Sequence, residues 1–502
     1  MRIYIEKRLS EIDRHQLLIA LIEQHDALLI SERLRIQRVQ QSLAHEVEYD
    51  RLDEIESARK EYGAIARHYR YLLEKTMGSS TTGSEPVSDD VIRELIGLVD
   101  WFMVLADSSD VLHNRIDIGG VDIDDSFIPV IFYSEDAESK QNQFALEYAK
   151  SRLGADSVPG DRVEGAQEQL LHSEEIEKAF ITDAGFSLHD MCTALLVLSQ
   201  AHRFGFGDEL SLSYISTSDQ VAEKLVSEIE GFSLETARKI VGFLCLSGKG
   251  ILRLAGRDVD ESDVPYWEHN KRVHRYAIRP LISDNSTLIW GAEACSRSMH
   301  KWMSAIRDGS LPADFDWPTV KPLIRNVKQG IEKQLEIQAA DILKRHTDFV
   351  EGGIDFFRKF RSEGFEDVGD FDVFAYWPDS NLLITVECKY NQQPYTAKDG
   401  RRLRDKIFGK SETDKTGHIS KILKRSRFID AENIRLLDLL DWPHQSAQPL
   451  RHVALYVSRD IYYWMVNPPY PVDVKFVRVE ALDHWIKSEL PHIQVQDGVI
   501  PV

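Results

Sequence analysis

Residues 369–390 read GDFDVFAYWPDSNLLITVECKY. Two apolar runs flank PDSN at 378–381, which is turn chemistry between strand-like segments. Centring the turn on Asp379 and Ser380 sets Asp372 opposite Glu387, and Asp370 opposite Lys389. Side chains alternate along a strand. One face then carries Asp370, Asp372, Phe374, Leu383, Thr385, Glu387 and Lys389. The other carries Phe371, Val373, Ala375, Ile384, Val386 and Cys388. The expectation is a hairpin with a buried apolar face and a charged opposite face. Two carboxylates about 5 Å apart repel and need a positive partner. Lys389 supplies one charge. A hard divalent cation, Mg²⁺ or Mn²⁺, satisfies two carboxylates better, with the Cys388 carbonyl as a neutral third ligand.

The rest of the chain bounds this reading. With 502 residues, about three domains are expected. Hydrophobic residues make up 43% and charged residues 28%, as in an ordinary globular protein. No apolar run is long enough to span a bilayer, and the charged N-terminus does not look like a secretory signal. Cys192, Cys245, Cys295 and Cys388 are scattered, which argues against a zinc site or disulfide framework and fits a cytoplasmic setting. The net charge of −21 argues against a nucleic-acid coat over the whole surface. Yet residues 398–427 hold 11 Lys/Arg against 4 acids, directly after the hairpin.

The pattern predicts a multidomain α+β protein. Residues 1–76 form a long helical arm or helical hairpin, 77–90 a linker, and 91–265 a mostly helical middle region with a sensing or regulatory role. Within that region a strand is expected over 126–134 and a helix over 141–153. Residues 266–317 hold connecting strands and a helix. Residues 318–502 form a C-terminal α/β domain with a central mixed sheet: a helix at 318–346, strands at 367–377 and 382–391, two basic helices, a strand at 451–459, and a strand and helix over 475–490. The segment GFLCLSGKG at 242–250 misses the spacing and hydroxyl of a phosphate loop, so Gly248 is read as ending a helix.

Asp372 followed by Glu387-Cys388-Lys389 in strand–turn–strand, between a preceding helix and a basic helix, resembles the PD-(D/E)XK, or restriction-endonuclease-like, nuclease superfamily. The resemblance covers about 318–490. Glu-x-Lys alone is a weak signal: Glu138-Ser139-Lys140 has Asp124 upstream but lies in a polar stretch read as a loop or helix start, and the similar Asp473-Val474-Lys475 lacks a matching upstream hairpin acid. The superfamily implies a metal-dependent phosphodiesterase, usually acting on DNA. It also implies a glutamate on the preceding helix, for which Glu336 is the candidate and Glu332 the alternative. Gly369-Asp370-Phe371-Asp372 lacks the nominal proline, leaving Asp370 as an alternative to Asp372 as ligand.

The expectation is a Mg²⁺- or Mn²⁺-dependent deoxyribonuclease, an endonuclease of restriction or antiviral defence by superfamily analogy. Asp372, Glu387, Lys389 and Glu336 carry the chemistry, and Asp372, Glu387 and the Cys388 carbonyl hold the metal. Arg401, Arg402, Arg404, Lys406, Lys421, Lys424 and Arg425 contact nucleic-acid phosphates. His418 is a further candidate near the phosphate, with a capping or surface role as its other reading. Tyr376 and Trp377 stack on a base or pack in the core. RNA as substrate, exonuclease action, and a role in repair or recombination stay open. So do a homo-oligomer formed through the N-terminal helices and an activating partner or signal. A silent nucleic-acid-binding module and a helical scaffold are the competing classes.

Overall fold

The computed structural model describes residues 1–41, 51–79, 83–114, 119–125, 129–133, 174–251, 272–392, 394, 397–412, 414, 416–443 and 449–495. The chain is α+β and divides into two units, Met1–Val327 with Pro394–Lys398, and Lys328–Gln393 with Asp399–Val502. The helix expected over 141–153 lies outside the described residues. Among the described residues no single helix is long and apolar enough to cross a membrane.

In the first unit the apolar repeat of the N-terminus builds α1 (Arg2–Glu11), α2 (Arg14–Gln41), α3 (Arg51–Gly78) and α4 (Asp89–Asn114). These do not stand apart as an arm. Leu17, Leu21, Leu72 and Leu95 share one core with Leu246, Ile282 and Ile289. Burying one apolar stripe against another is what stabilises such helices. The expected linker is also tied down: Gly83 N–H donates to the Ile12 carbonyl, and Glu85 N–H to the Glu11 carbonyl. Arg8 pairs with the Glu85 carboxylate. A Cβ at position 83 would lie 1.9 Å from the Glu11 carbonyl oxygen, so only glycine fits there.

The expected strand over 126–134 is β2 (Pro129–Tyr133), paired antiparallel with β1 (Gly119–Ile123). The middle region is helical, through α5 (Glu174–Ala184), α6 (Leu188–Ser199), α7 (Ser218–Glu228) and α8 (Leu234–Leu244). It also contributes two strands, β3 (Tyr214–Thr217) and β4 (Cys245–Leu246), to a sheet with β5 (Leu281–Asp284) and β6 (Thr287–Trp290), in the order β3-β6-β5-β4. Gly248 does not end a helix. α8 stops at Leu244, and Gly248 opens the short helix Gly248–Ile251, where a Cβ would lie 2.3 Å from the Met77 carbonyl oxygen.

Helix α9 (Ala292–Arg307) starts from Gly291, which has no side chain to cap it. Asp26 of α2 does so instead, accepting from Glu293 N–H at 2.8 Å and Ala294 N–H at 2.9 Å. Gly291 makes the approach possible, since a Cβ there would sit 2.2 Å from Asp26 Oδ1. Burial pushes the Asp26 carboxyl up to about 7, partly offset by these backbone donors.

The second unit holds a five-stranded mixed sheet, order β11-β10-β9-β8-β7. Its strands are β7 (Phe349–Ile354), β8 (Phe371–Trp377), β9 (Leu382–Cys388), β10 (Arg451–Ser458) and β11 (Lys475–Arg478). The first three form an antiparallel meander. β10 then pairs parallel with both β9 and β11. The observed register, Val373↔Val386 through Trp377↔Leu382, is the one expected from the turn. Asn381 closes that turn at φ 47°, a left-handed conformation that asparagine tolerates. The Tyr376 hydroxyl donates to Asn381 Oδ1 at 2.7 Å. β7 was not expected; its Glu351, Gly352 and Gly353 hide the strand pattern.

Helix α10 (Val320–Leu343) enters this unit and reaches β9, where the Leu335 carbonyl lies 3.8 Å from Cys388 Sγ. After β9 come α11 (Ala397–Phe408) and α12 (His418–Leu439); α13 (Leu482–Val495) follows β11. α12 covers the face of Phe374, Tyr376 and Leu383 with Phe428, Ile429, Leu436 and Leu437. The face expected to be open and charged is therefore covered, and every residue of β9 is buried. Phe374 and Leu383, placed on that face by alternation, account for the cover.

The Asp26 carboxyl has a folded value above the ordinary carboxylate range, so folding favours its protonated form. That contribution is complete below about pH 4 and is lost as pH rises through about 7. The melting temperature is expected to fall between about pH 5 and pH 8. Asp26→Asn flattens this slope in scanning calorimetry across the same range.

Candidate active site

Asp372 and Glu387 come together because β8 and β9 pair in the expected register. Both are buried, with 7% and 6% of their surface exposed. Desolvating two carboxylates side by side is costly unless cations and donors compensate. Asp372 Oδ2 accepts from the Cys388 N–H at 2.7 Å. Lys389 Nζ lies 2.8 Å from Glu387 Oε1 and 3.3 Å from Asp372 Oδ2, and donates to the Cys388 carbonyl at 3.1 Å. One ammonium thus bridges the pair.

The second compensating charge is Arg425 of α12, whose Nη1 pairs with Glu387 Oε2. Its Nε donates to the Val368 carbonyl at 3.2 Å, and its guanidinium lies over the Phe371 ring at 5.6 Å. Gly369, at φ 79°, makes room: a Cβ there would meet Arg425 Nη2 at 3.2 Å. Arg425 is therefore not a free phosphate contact, as was expected of it. It pairs with the buried Glu387 carboxylate instead.

Burial, then the neighbouring charge of Glu387, push the Asp372 carboxyl up to about 6; Lys389 and the Cys388 N–H act against the rise. Burial disfavours the Lys389 ammonium, but the charges and hydrogen bonds of Glu387 and Asp372 outweigh it and leave its pKa raised. Burial raises the Cys388 thiol well above its ordinary value.

The remaining expected residues divide. Asp370 lies outside β8 and is exposed, and Lys389 pairs with Asp372 and Glu387 rather than with it. Glu336 of α10 acts on Asp372 electrostatically, but its carboxylate pairs with Lys333 at 2.7 Å. Glu332, the alternative, acts on Lys406 and Tyr456 instead. Tyr376 is fully buried, which removes it as a base-stacking residue.

On α11, Arg401 and Arg404 pair with Asp405 at 3.8 and 2.8 Å, and Arg402 with Asp399 at 3.2 Å. Lys424 pairs with Glu366 at 3.0 Å. Such partly exposed pairs are worth at most about 1 kcal/mol and exchange readily for a phosphate. Lys421 is exposed.

A polar network that the sequence did not announce continues from the pair. Tyr456 of β10 stands beside Glu387 in the parallel register. Its hydroxyl meets Asn391 Nδ2 at 2.9 Å and His418 Nδ1 at 3.0 Å. Lys406 Nζ donates to Asn391 Oδ1 at 3.3 Å. The Asn391 carbonyl accepts from the Tyr462 hydroxyl at 2.6 Å. Burial, then four lysines led by Lys406, hold His418 down to about 3, so the imidazole is neutral. The available signal was Asn391 lying two residues past Lys389, on the same alternation as Glu387 and Lys389.

The donor set of Asp372, Glu387 and the Cys388 carbonyl is hard and oxygen-only, which fits Mg²⁺ or Mn²⁺ in type. The described residues hold no group of three or more His, Cys, Asp or Glu side chains placed to bind a metal. A cation would therefore rest on two carboxylates, a carbonyl and water, and would compete with Lys389 and Arg425 for the same oxygens.

Removing one partner of a buried ion pair leaves the other uncompensated, at roughly 3–5 kcal/mol. Arg425→Gln is expected to lower stability by about that amount in urea denaturation. In Lys389→Met the Asp372 carboxyl is expected to titrate higher than in the parent, because Lys389 is the cation that lowers it. Carboxyl-carbon NMR reads that change directly.

No family model matches the chain, and no curated protein or solved structure matches it either.

Proposed function

We propose that the second unit is a cation-dependent phosphodiesterase acting on DNA. The observation that carries this reading is the buried pair Asp372 and Glu387 bridged by the Lys389 ammonium at the end of a mixed sheet. A pair of charges this desolvated is kept when the charge itself is used. Asp372, Glu387 and the Cys388 carbonyl would hold a Mg²⁺ or Mn²⁺ ion. Such an ion supplies charge neutralisation at a phosphoryl oxygen and a more acidic water.

The chain's own residues do the rest. Lys389 holds a positive charge between the carboxylates and, freed from one of them, stabilises charge developing on the phosphate. Arg425 pairs with Glu387 and holds its orientation. Glu336 adds a negative charge that acts on Asp372. The lysines and arginines of α11 and α12 supply backbone affinity that weakens with salt.

A second reading is favoured by one observation: Lys389 already bridges both carboxylates, and Arg425 pairs with Glu387 as well. A site closed in this way fits a silent nucleic-acid-binding module. The two readings differ in cation dependence.

The test uses the full chain with linear, closed circular and single-stranded DNA, in Mg²⁺, Mn²⁺ or EDTA. Cutting is expected with either cation, absent in EDTA, and reduced by at least about a thousandfold in Lys389→Ala and Glu387→Ala. Loss of closed circles identifies an endonuclease, and degradation of linear DNA alone an exonuclease. DNA binding without cutting in any cation, or equal cutting by the variants, overturns the catalytic reading.

A further inference from the structure

Four lysines act on His418: Lys406, Lys389, Lys421 and Lys328. Lys389 is already engaged by Asp372 and Glu387. Lys328 and Lys421 have no ion-pair partner among the described residues, and Lys406 is bonded only to the neutral Asn391. Among the described residues, Glu332 is the one acid that acts on Lys406. Like charges crowded in this way are a cost unless an anion joins them.

The hydrogen bonds around Tyr456 point the same way. Asn391 Nδ2 can only donate, so the Tyr456 oxygen accepts from it. With its oxygen taken by Asn391, Tyr456 has His418 Nδ1 as the acceptor in reach for its proton, and in that tautomer the imidazole proton lies on Nε2. That Nε2–H has no partner among the described residues. His418 is also the first residue of a 22-residue helix whose cap, Gly417, offers no side chain. The outer edge of the network therefore presents donors: the Lys406 ammonium, His418 Nε2–H and the first N–H groups of α12. An anion with several acceptor oxygens satisfies them together.

We propose that Lys328, Lys406, Lys421 and His418 form a phosphate-binding subsite beside the acid pair, taking a nucleic-acid phosphate other than the one at Asp372 and Glu387. This rests on the reading of the second unit as a phosphodiesterase and names how it seats its strand. Tyr456 and Asn391 set the edge, because Tyr456 neighbours Glu387 on the adjoining strand and Asn391 lies two residues from Lys389. The phosphate is either an internal diester or a terminal monoester; the donors are the same for both.

The test measures binding by the full chain in EDTA, so that no cutting intervenes. The probes are inorganic phosphate and short thymidine oligonucleotides with a 5′-phosphate or a 5′-hydroxyl. Lys406→Gln and Lys328→Gln are each expected to weaken oligonucleotide binding about tenfold and to lower the salt slope by about one. His418→Ala weakens it with no change in slope. Tighter binding of the 5′-phosphorylated strand identifies a terminal monoester, and equal binding an internal diester. Unchanged affinity and slope in both lysine variants overturn the subsite, even if the parent protein cuts DNA. Lysine-dependent binding by a protein that cuts in no cation keeps the subsite and removes only the catalytic reading.

Discussion

The second unit depends on the cost of holding Asp372 and Glu387 out of water. Two adjacent carboxylates in a protein interior are unstable unless opposite charge reaches them. The cations arrive from two directions. Lys389 is local, one residue beyond β9. Arg425 is remote and comes from α12, through the left-handed turn at Gly369. Each requires part of the fold to be in place: the hairpin register for Lys389, and the packing of Phe428 and Ile429 against Phe374 for Arg425. The same helix thus seals the core and balances the charge. A buried ion pair is seldom a good source of stability, so its presence here directs attention to what the charges do.

The first unit solves a related problem with one carboxylate. Asp26 supplies the cap that Gly291 lacks, and the absent side chain at Gly291 is what lets Asp26 approach. His25, next to it, is also fully buried, and burial followed by Arg70 and Arg297 holds it down to about 3. Its ring packs edge-on against Tyr276 at 5.4 Å. Glu32 of α2, likewise buried, pairs with Arg297 of α9. Polar groups of α2 therefore fix how it meets α9, where an apolar stripe alone would permit sliding.

The hairpin was legible in the sequence because its information is local. Pro378 and Asn381 specify the turn, the turn sets the register, and the register brings Asp372 to Glu387. The long helices were legible from their apolar spacing. What depended on distant segments was not. Arg425 reads as one more basic residue in a basic stretch until α12 is laid on the sheet. β3 and β4 are too short to show alternation, and their partners lie far along the chain. The shared core of the first unit was hidden for the same reason: Leu17 and Leu72 were visible as core residues, but not that Leu246 and Ile289 complete that core.

The connection from β9 to β10 carries a kinetic consequence. A hairpin such as β8–β9 closes in about 1–10 μs. Its parallel partner β10 can join only after the chain from Cys388 to Arg451, with α11 and α12 on it, has been brought back to the sheet. Long loops are slow to close because their entropy is lost before their contacts form. The two carboxylates therefore meet early, with Lys389 beside them and Arg425 still absent. Until α12 docks, that repulsion is moderated by Lys389, water and salt but not by Arg425, so the refolding barrier of this unit carries an electrostatic component that dissolved ions lower.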